Sequence, residues 1–236
     1  MVDLAGKVAL VTGASGNLGS VVARRLLQAG ARLALPDRSP ARLERAFPEA
    51  ALESVFVARC QITKAESVAR FVADAEVRFG GLDLLVNVAG GFRYARLDGD
   101  TALRDWDDMM AINARTAFLL CRAVAPAMAR RGGGAIVNIG SRAALAGAAG
   151  TAAYAASKAA VVRLTEAVSA ELKASGVRVN CVLPGTIDTP DNRDAMPTAD
   201  RSQWVDPQAL ADVILFLLSP AARAVHGVAL PVYGLG

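Results

Sequence analysis

The sequence predicts one α/β domain spanning residues 1–236, a doubly wound parallel sheet with helices on both faces. Short β-branched runs alternate with longer helix-compatible stretches, which is the β-α-β rhythm of a parallel sheet. The first run, Val8–Val11, is apolar at every position and closes on Thr12-Gly13, as a strand buried on both faces requires. No Pro/Gly/Ser-rich linker or internal repeat divides the chain. After that first strand, Asn17 to Ala29 reads as a helix stopped by Gly30. Further strands are expected at Arg32–Leu35, Ser54–Val57, Asp83–Asn87, Ala135–Ile139, Val177–Leu183 and Val228–Val232. Helices are expected at Lys64–Phe79, Trp106–Arg131, Thr151–Ser175 and Pro207–Leu218. The one long, polar, proline-marked connection runs from Thr186 to Asp206, and a loop of that kind in a compact domain is more often functional than idle.

Composition narrows the function classes. With 53% hydrophobic and 20% charged residues, a disordered or fibrous chain is excluded. The net charge of +4 is spread in isolated residues and pairs such as Arg24-Arg25, whereas a phosphate-tracking surface needs clustered charge, so neither nucleic acid nor a membrane is expected as a partner. Cys60, Cys121 and Cys181 are odd in number, far apart and without a C-x-x-C pair, which fits neither a disulfide framework nor a zinc site and suggests the reducing cytoplasm. His226 is the single histidine, so His-rich metal sites are excluded and a structural role is expected for it. The acidic start, Met1 to Lys7, has no secretory apolar region, and no run reaches the ~18 apolar residues of a membrane span.

The turn Thr12-Gly13-Ala14-Ser15-Gly16-Asn17-Leu18-Gly19 lies between the first strand and the first helix. Glycines there let the backbone turn tightly and approach a pyrophosphate at the helix N-terminus, which points to a dinucleotide. Asp37 closes the second strand, 18 residues past Gly19, where a carboxylate accepts from a ribose 2′-hydroxyl and repels a 2′-phosphate. NAD is therefore expected over NADP, with Arg38 as the competing determinant; a plain polar turn is the bland alternative for Asp37 to Pro40.

Tyr154 and Lys158 stand four residues apart, one turn apart on a single helix face. A nearby cation stabilises a phenolate and moves tyrosine toward the working range of a base. The chain has only four lysines, at 7, 64, 158 and 173, and one of them is beside this tyrosine. Ser141 follows the Ile136–Ile139 strand at the carboxyl edge of the sheet, where its hydroxyl can donate to a carbonyl oxygen.

Together these residues resemble the short-chain dehydrogenase/reductase family from about Ala5 to Gly234. The resemblance implies a seven-stranded Rossmann-type domain whose active site is Asn113, Ser141, Tyr154 and Lys158, with Asn113 and a bound water extending a proton relay. It implies cofactor contacts from Gly13, Ser15, Gly16, Asn17, Leu18, Gly19, Asp37, Arg38, Gln61, Asn87, Ala89, Gly90, Tyr154, Lys158, Pro184, Gly185, Thr186, Ile187 and Thr189. Asn87-Val88-Ala89-Gly90 is similar to the family's N-N-A-G element, and Pro184-Gly185 to its turn near the nicotinamide. The chain departs in placing the middle glycine one position early, at Gly16, with Asn17 in its usual slot; in Gln61 where an Asp usually contacts adenine; in Val88 for the second Asn; and in Val232-Tyr233-Gly234 for an acidic ending.

The expected activity is hydride transfer between NAD(H) and a carbonyl or secondary alcohol. Ala89–Phe92 and the 188–204 stretch also look like dihydropteridine reductases, so reduction of a pterin or other C=N substrate is the alternative; Ser141 argues for the carbonyl. A catalytically silent, nucleotide-responsive binding protein keeps the same fold but has no need of the four-residue set. A partner helix pair is expected from small apolar helix faces carrying Ala114, Ala117, Phe118, Cys121 and Ala125, and Ala153, Ala156, Ala160 and Ala167, and the family resemblance implies a homotetramer, or a homodimer, built on them. The Thr186–Trp204 segment is expected to be a substrate lid, with Met196 and Trp204 as its apolar surface.

Overall fold

The computed structural model describes residues 2–48 and 53–236. Seven parallel strands form one sheet in the order β3-β2-β1-β4-β5-β6-β7: β1 (Val8–Thr12), β2 (Arg32–Asp37), β3 (Val55–Arg59), β4 (Leu84–Asn87), β5 (Gly134–Ile139), β6 (Val177–Pro184) and β7 (Ala229–Val232). Side chains alternate between faces with the period of two that an extended chain dictates. Ala9, Val11, Leu84, Val86, Ala135 and Val137 join one core, while Val8, Leu10, Leu85 and Ile136 join the other.

The first core is closed by α1 (Asn17–Gln28), α2 (Pro40–Ala46) and, later in the chain, a helix at Pro207–Leu218. The second is closed by α3 (Ala65–Phe79) and by a long helical stretch made of α4 (Ala102–Met109), a wide π-helical turn (Met110–Arg115) and α5 (Thr116–Arg130). The helix α6 (Ala152–Leu172) packs against β6 and α5, and α7 (Pro190–Ala195) and α8 (Pro207–Leu218) complete the set. Strand order reverses between β1 and β4, so the loops leaving these strands part and open a crevice at the carboxyl edge; doubly wound sheets bind ligands at such a point.

Several expectations shift. The segment after Asp37 is not a plain turn: Pro40 occupies the first turn of α2, where its missing N–H costs nothing. The stretch read as one helix from Trp106 begins at Ala102 and widens at Met110–Arg115, which single-helix periodicity does not reveal. The helix expected to reach Ser175 ends at Leu172, followed by one 3-10 turn and by Gly176 at φ 75°. The long connection contains α7. Of the small residues assigned to a partner-facing surface, Ala117, Cys121 and Ala125 instead point into the protein; Phe118 on the same helix is exposed. Among the described residues, no helix is long and apolar enough to cross a membrane.

Candidate active site

The crevice is built by two loops pressed together. Thr12, at the end of β1, accepts a hydrogen bond through Oγ1 from the Ala89 N–H at 3.0 Å. Gly13 adopts φ +69°, and a Cβ there would lie 3.0 Å from the Ala89 backbone. A Cβ at Gly19 would lie 2.0 Å from the Gly13 carbonyl oxygen, so the first turn of α1 can rest on the strand end only with glycine at that position. Gly16 is the N-cap and brings no side-chain acceptor, and no acid stands in the first turn. The helix thus presents uncapped N–H groups and the positive end of its dipole to the crevice. Leu18 has its side chain in the core and offers only its backbone there.

Asp37 closes β2, with Oδ2 accepting from Ser15 Oγ at 2.7 Å and Oδ1 from the Ser39 N–H at 2.8 Å. The phosphate turn and the carboxylate are therefore braced together, while Arg38 is exposed to solvent. Gln61 is exposed just beyond β3, with its backbone N–H held by Ser67 Oγ. Asn87 faces away from the crevice: it is buried and donates to Asn138 Oδ1 at 2.8 Å, which ties β4 to β5. Asn138 in turn donates to Thr165 Oγ1 at 2.9 Å, so one buried polar chain anchors α6 to the sheet.

Asn113 sits in the π-helical turn, and its side-chain amide is fully engaged. Oδ1 accepts from the Gly91 N–H at 2.9 Å, and Nδ2 donates to the Gly91 carbonyl at 3.1 Å and to Ser157 Oγ at 3.0 Å. Ser157 passes the chain on by donating to the Tyr154 carbonyl at 2.8 Å. Thr116 Oγ1 donates to the Ile112 carbonyl at 2.6 Å, satisfying one of the acceptors that the wide turn frees. Through these bonds Asn113 positions Gly91 and the start of α6.

Lys158 is 5% exposed, and its Nζ donates to the Ile139 carbonyl at 2.8 Å. Burial holds its pKa down to about 8; Cys181 nearby opposes that shift, and burial pushes the Cys181 thiol itself up to about 11. Gly90 leaves the space over this ammonium open, since a Cβ there would come 2.7 Å from Asn113 Oδ1 and 3.3 Å from Lys158 Nζ. Burial likewise raises the Tyr154 phenol above its ordinary value, and its hydrogen bond with Ser141 acts in the opposite sense. Loss of solvent is the larger of the two influences on the phenol.

The far wall starts where β6 ends at Pro184. Gly185 packs on the Tyr233 backbone, where a Cβ would come within 3.1 Å of the Tyr233 carbonyl oxygen. Thr186 accepts from the Val205 N–H at 2.7 Å, and Ile187 forms a parallel bridge with Val205. Thr189 is buried and caps α7 by accepting from the Asn192 N–H, and Asp188 holds Arg193 through two bonds of 2.6 and 2.8 Å. Asp191 on α7 accepts from Asn17 Nδ2 at 2.9 Å, which links this loop to the glycine turn. Trp204 is partly buried and Met196 is exposed.

The structure brings Ser141, Tyr154 and Lys158 to one edge with the glycine turn, as the spacing implied. Ser157 was not anticipated, and Thr12, Gly91, Phe92 and Asp191, which lie in segments singled out from the sequence, were not given these contacts, because their partners are distant in the chain.

The model of the short chain dehydrogenase family matches residues 7–200. The chain is 37% identical to 2-(R)-hydroxypropyl-CoM dehydrogenase of Xanthobacter autotrophicus, over 97% of this chain and 97% of that protein. It is 34% identical to 2,5-dichloro-2,5-cyclohexadiene-1,4-diol dehydrogenase of Sphingobium indicum, over 98% and 96%. Among solved structures, 7α-hydroxysteroid dehydrogenase complexed with NADH and 7-oxo glycochenodeoxycholic acid superposes with a TM-score of 0.88 at 32% identity, covering 99% of this chain and 95% of that one.

The Asn17–Asp191 bond is the side-chain hydrogen bond from α7 that leaves the 186–206 loop, among the described residues. Asn17→Ala and Asp191→Ala should each speed amide exchange across residues 186–206 several-fold, leaving β1 and α6 protected. Mass-spectrometric hydrogen exchange on the two variants checks this; unchanged exchange in the loop would show that its internal bonds alone hold it down.

Proposed function

The chain belongs to the short-chain dehydrogenase family, and on that premise we propose that it transfers a hydride between NAD(H) and a carbonyl or secondary alcohol, with Tyr154 as the proton donor and acceptor. The family catalyses NAD(P)-dependent oxidoreduction of alcohols and carbonyl compounds. One observation carries the finer reading: a tyrosine kept protonated by burial, hydrogen-bonded to Ser141 and one helical turn from a buried ammonium.

The residues fit the cofactor. Gly13, Gly19 and Gly90 stand where a Cβ would close the cradle, and the uncapped N-terminus of α1 (Gly16 to Gly19) suits a diphosphate. Ser15 orients Asp37 toward a ribose 2′-hydroxyl, which favours NAD over NADP; Pro184, Gly185, Thr186, Ile187 and Thr189 would line the nicotinamide end. When bound, the nicotinamide supplies or takes the hydride. Ser141 orients the reacting oxygen by a hydrogen bond, and Tyr154 gives that oxygen its proton on reduction or removes it on oxidation. Lys158 keeps donors free for the ribose and stabilises the phenolate that proton donation leaves behind. Asn113 fixes the Gly91 loop and the start of α6.

Assembly follows from surfaces left uncovered. A groove of about 520 Å³ between the π-helical turn, α5 and α6 is lined by Met110, Ala111, Ala114, Phe118, Ala160 and Leu164, and β7 pairs on one side only. A second copy at the groove and another along β7 make a tetramer.

Four outcomes follow. Tyr154→Phe should lower turnover of a ketone panel at least ~100-fold while NADH binding, followed by fluorescence, is retained. Binding without turnover by the unmodified protein would favour the silent reading, and turnover confined to quinonoid dihydropterin would favour the pterin alternative. Because the phenol form is the donor, reduction should be flat at neutral pH and fall above about 8, where Lys158 loses its proton, whereas oxidation should climb with pH up to that point. Asp37→Ala should narrow the preference for NADH over NADPH about tenfold, the size of one like-charge contact in partly wet surroundings; an unmodified enzyme preferring NADPH would transfer that role to Arg38. Light scattering at micromolar concentration should give four times the 24.4 kDa of one chain, and a monomer mass would defeat the assembly.

A further inference from the structure

Phe92 is a large aromatic side chain that the fold holds rigidly without covering. Its ring meets the Tyr154 ring nearly at right angles, with centroids 4.9 Å apart and planes at 81°, yet it remains 54% exposed. The segment that carries it is fixed at both ends. On one side, Asn113 grips both the N–H and the carbonyl of Gly91. On the other, the Ala95 N–H donates to the Gly150 carbonyl at 2.9 Å, and the Tyr94 ring lies so close to Gly150 that a Cβ there would come 2.2 Å from it. Gly150 has φ +72°, which only glycine adopts without strain, so this second anchor is as specific as the first.

A half-exposed phenylalanine on a mobile surface loop would call for no explanation. Here a buried amide and a glycine contact immobilise the loop, and the apolar ring is kept beside the phenol that handles the proton. Leaving that surface in water is unfavourable, and a ligand that covers it recovers the loss. Tyr154 already meets the Phe92 ring, and the rest of that ring stays open beside the phenol.

We propose that Phe92 is a specificity-determining residue that packs against a flat, unsaturated ring, so that the preferred substrates are aryl or cyclic-enone carbonyl compounds and the matching alcohols. The inference rests on Tyr154 being the proton donor, and it adds the class of compound presented to it. Two features select a ring over a chain. Aromatic pairs gain from the complementarity of ring face and ring edge, which an alkyl chain lacks. A planar group also keeps its contact when the carbonyl is fixed by hydrogen bonds from Ser141 and Tyr154, whereas a flexible chain loses rotational freedom to do the same.

The test compares acetophenone with 2-octanone, two ketones of equal carbon count, using NADH and the full-length protein. The unmodified enzyme should favour acetophenone. Phe92→Leu, which stays apolar but loses the π face, should lower kcat/KM for acetophenone about tenfold, mostly through KM, while 2-octanone changes less than about threefold; Phe92→Trp should retain the preference. Thermal unfolding and NADH affinity should match the unmodified protein in both variants. Equal losses on the two ketones, or no loss on either, would overturn the role of Phe92 while leaving carbonyl reduction intact. Turnover of neither ketone by the unmodified protein, nor of any other carbonyl compound, would overturn both readings.

Discussion

The site depends on keeping the Lys158 ammonium out of water. A cation with 5% exposure is costly unless its donors are met, and the Ile139 carbonyl at the end of β5 meets one of them. Holding that bond requires α6 to lie close over β5 and β6. Asn138–Thr165 anchors the middle of the helix and Asn113–Ser157 its first turns, while Gly140 leaves room for the Leu183 side chain of β6, which a Cβ there would approach to 2.6 Å. With these in place, Tyr154 lies one turn earlier on the same helix. Loss of solvent then sets both pKa directions, down for the ammonium and up for the phenol, and so prepares an acid rather than a ready-made base.

A second constraint is close backbone approach at the switch point. Thr12 and Gly13 are pressed against Ala89, and Gly19 is pressed against Gly13, so the glycine turn, the Ala89–Gly91 loop and the start of α1 form one body. Asn113 extends that body to the helix carrying Tyr154 through Gly91 and Ser157. The cofactor end and the chemical end are therefore linked by a short run of buried hydrogen bonds rather than by a loose cleft. The loop after β6 joins it through Asn17 and Asp191.

The early Gly16 changes what the glycine turn does without destroying it. Gly16 still caps α1 and leaves its N–H groups open, and the displaced slot gives Asn17 an amide that reaches α7. Fold likeness to the steroid dehydrogenase and identity to the two alcohol dehydrogenases establish the family, but the same scaffold serves many substrates. The substrate choice proposed for this chain rests on Phe92 beside Tyr154.

The sequence by itself determined the doubly wound sheet, its seven strands to within about two residues at most ends, the glycine turn and the Tyr154–Lys158 spacing, because strand burial, helix stops and the four-residue helix spacing are local periodicities; Asn113 was named only through the family resemblance. Element ends and wide turns were not legible: the start of α4, the π-helical turn at Asn113 and helix α7 depend on contacts across the fold. Only tertiary structure showed that Asn113 clamps Gly91 and that Asn87 faces Asn138 rather than the crevice. It also turned Ala117, Cys121 and Ala125 into the core and withdrew Lys158 from solvent. The reason in each case is that direction and burial of a side chain are set by elements far away in sequence. A pattern of residue types records which groups are present, but not how much water the folded chain leaves around them.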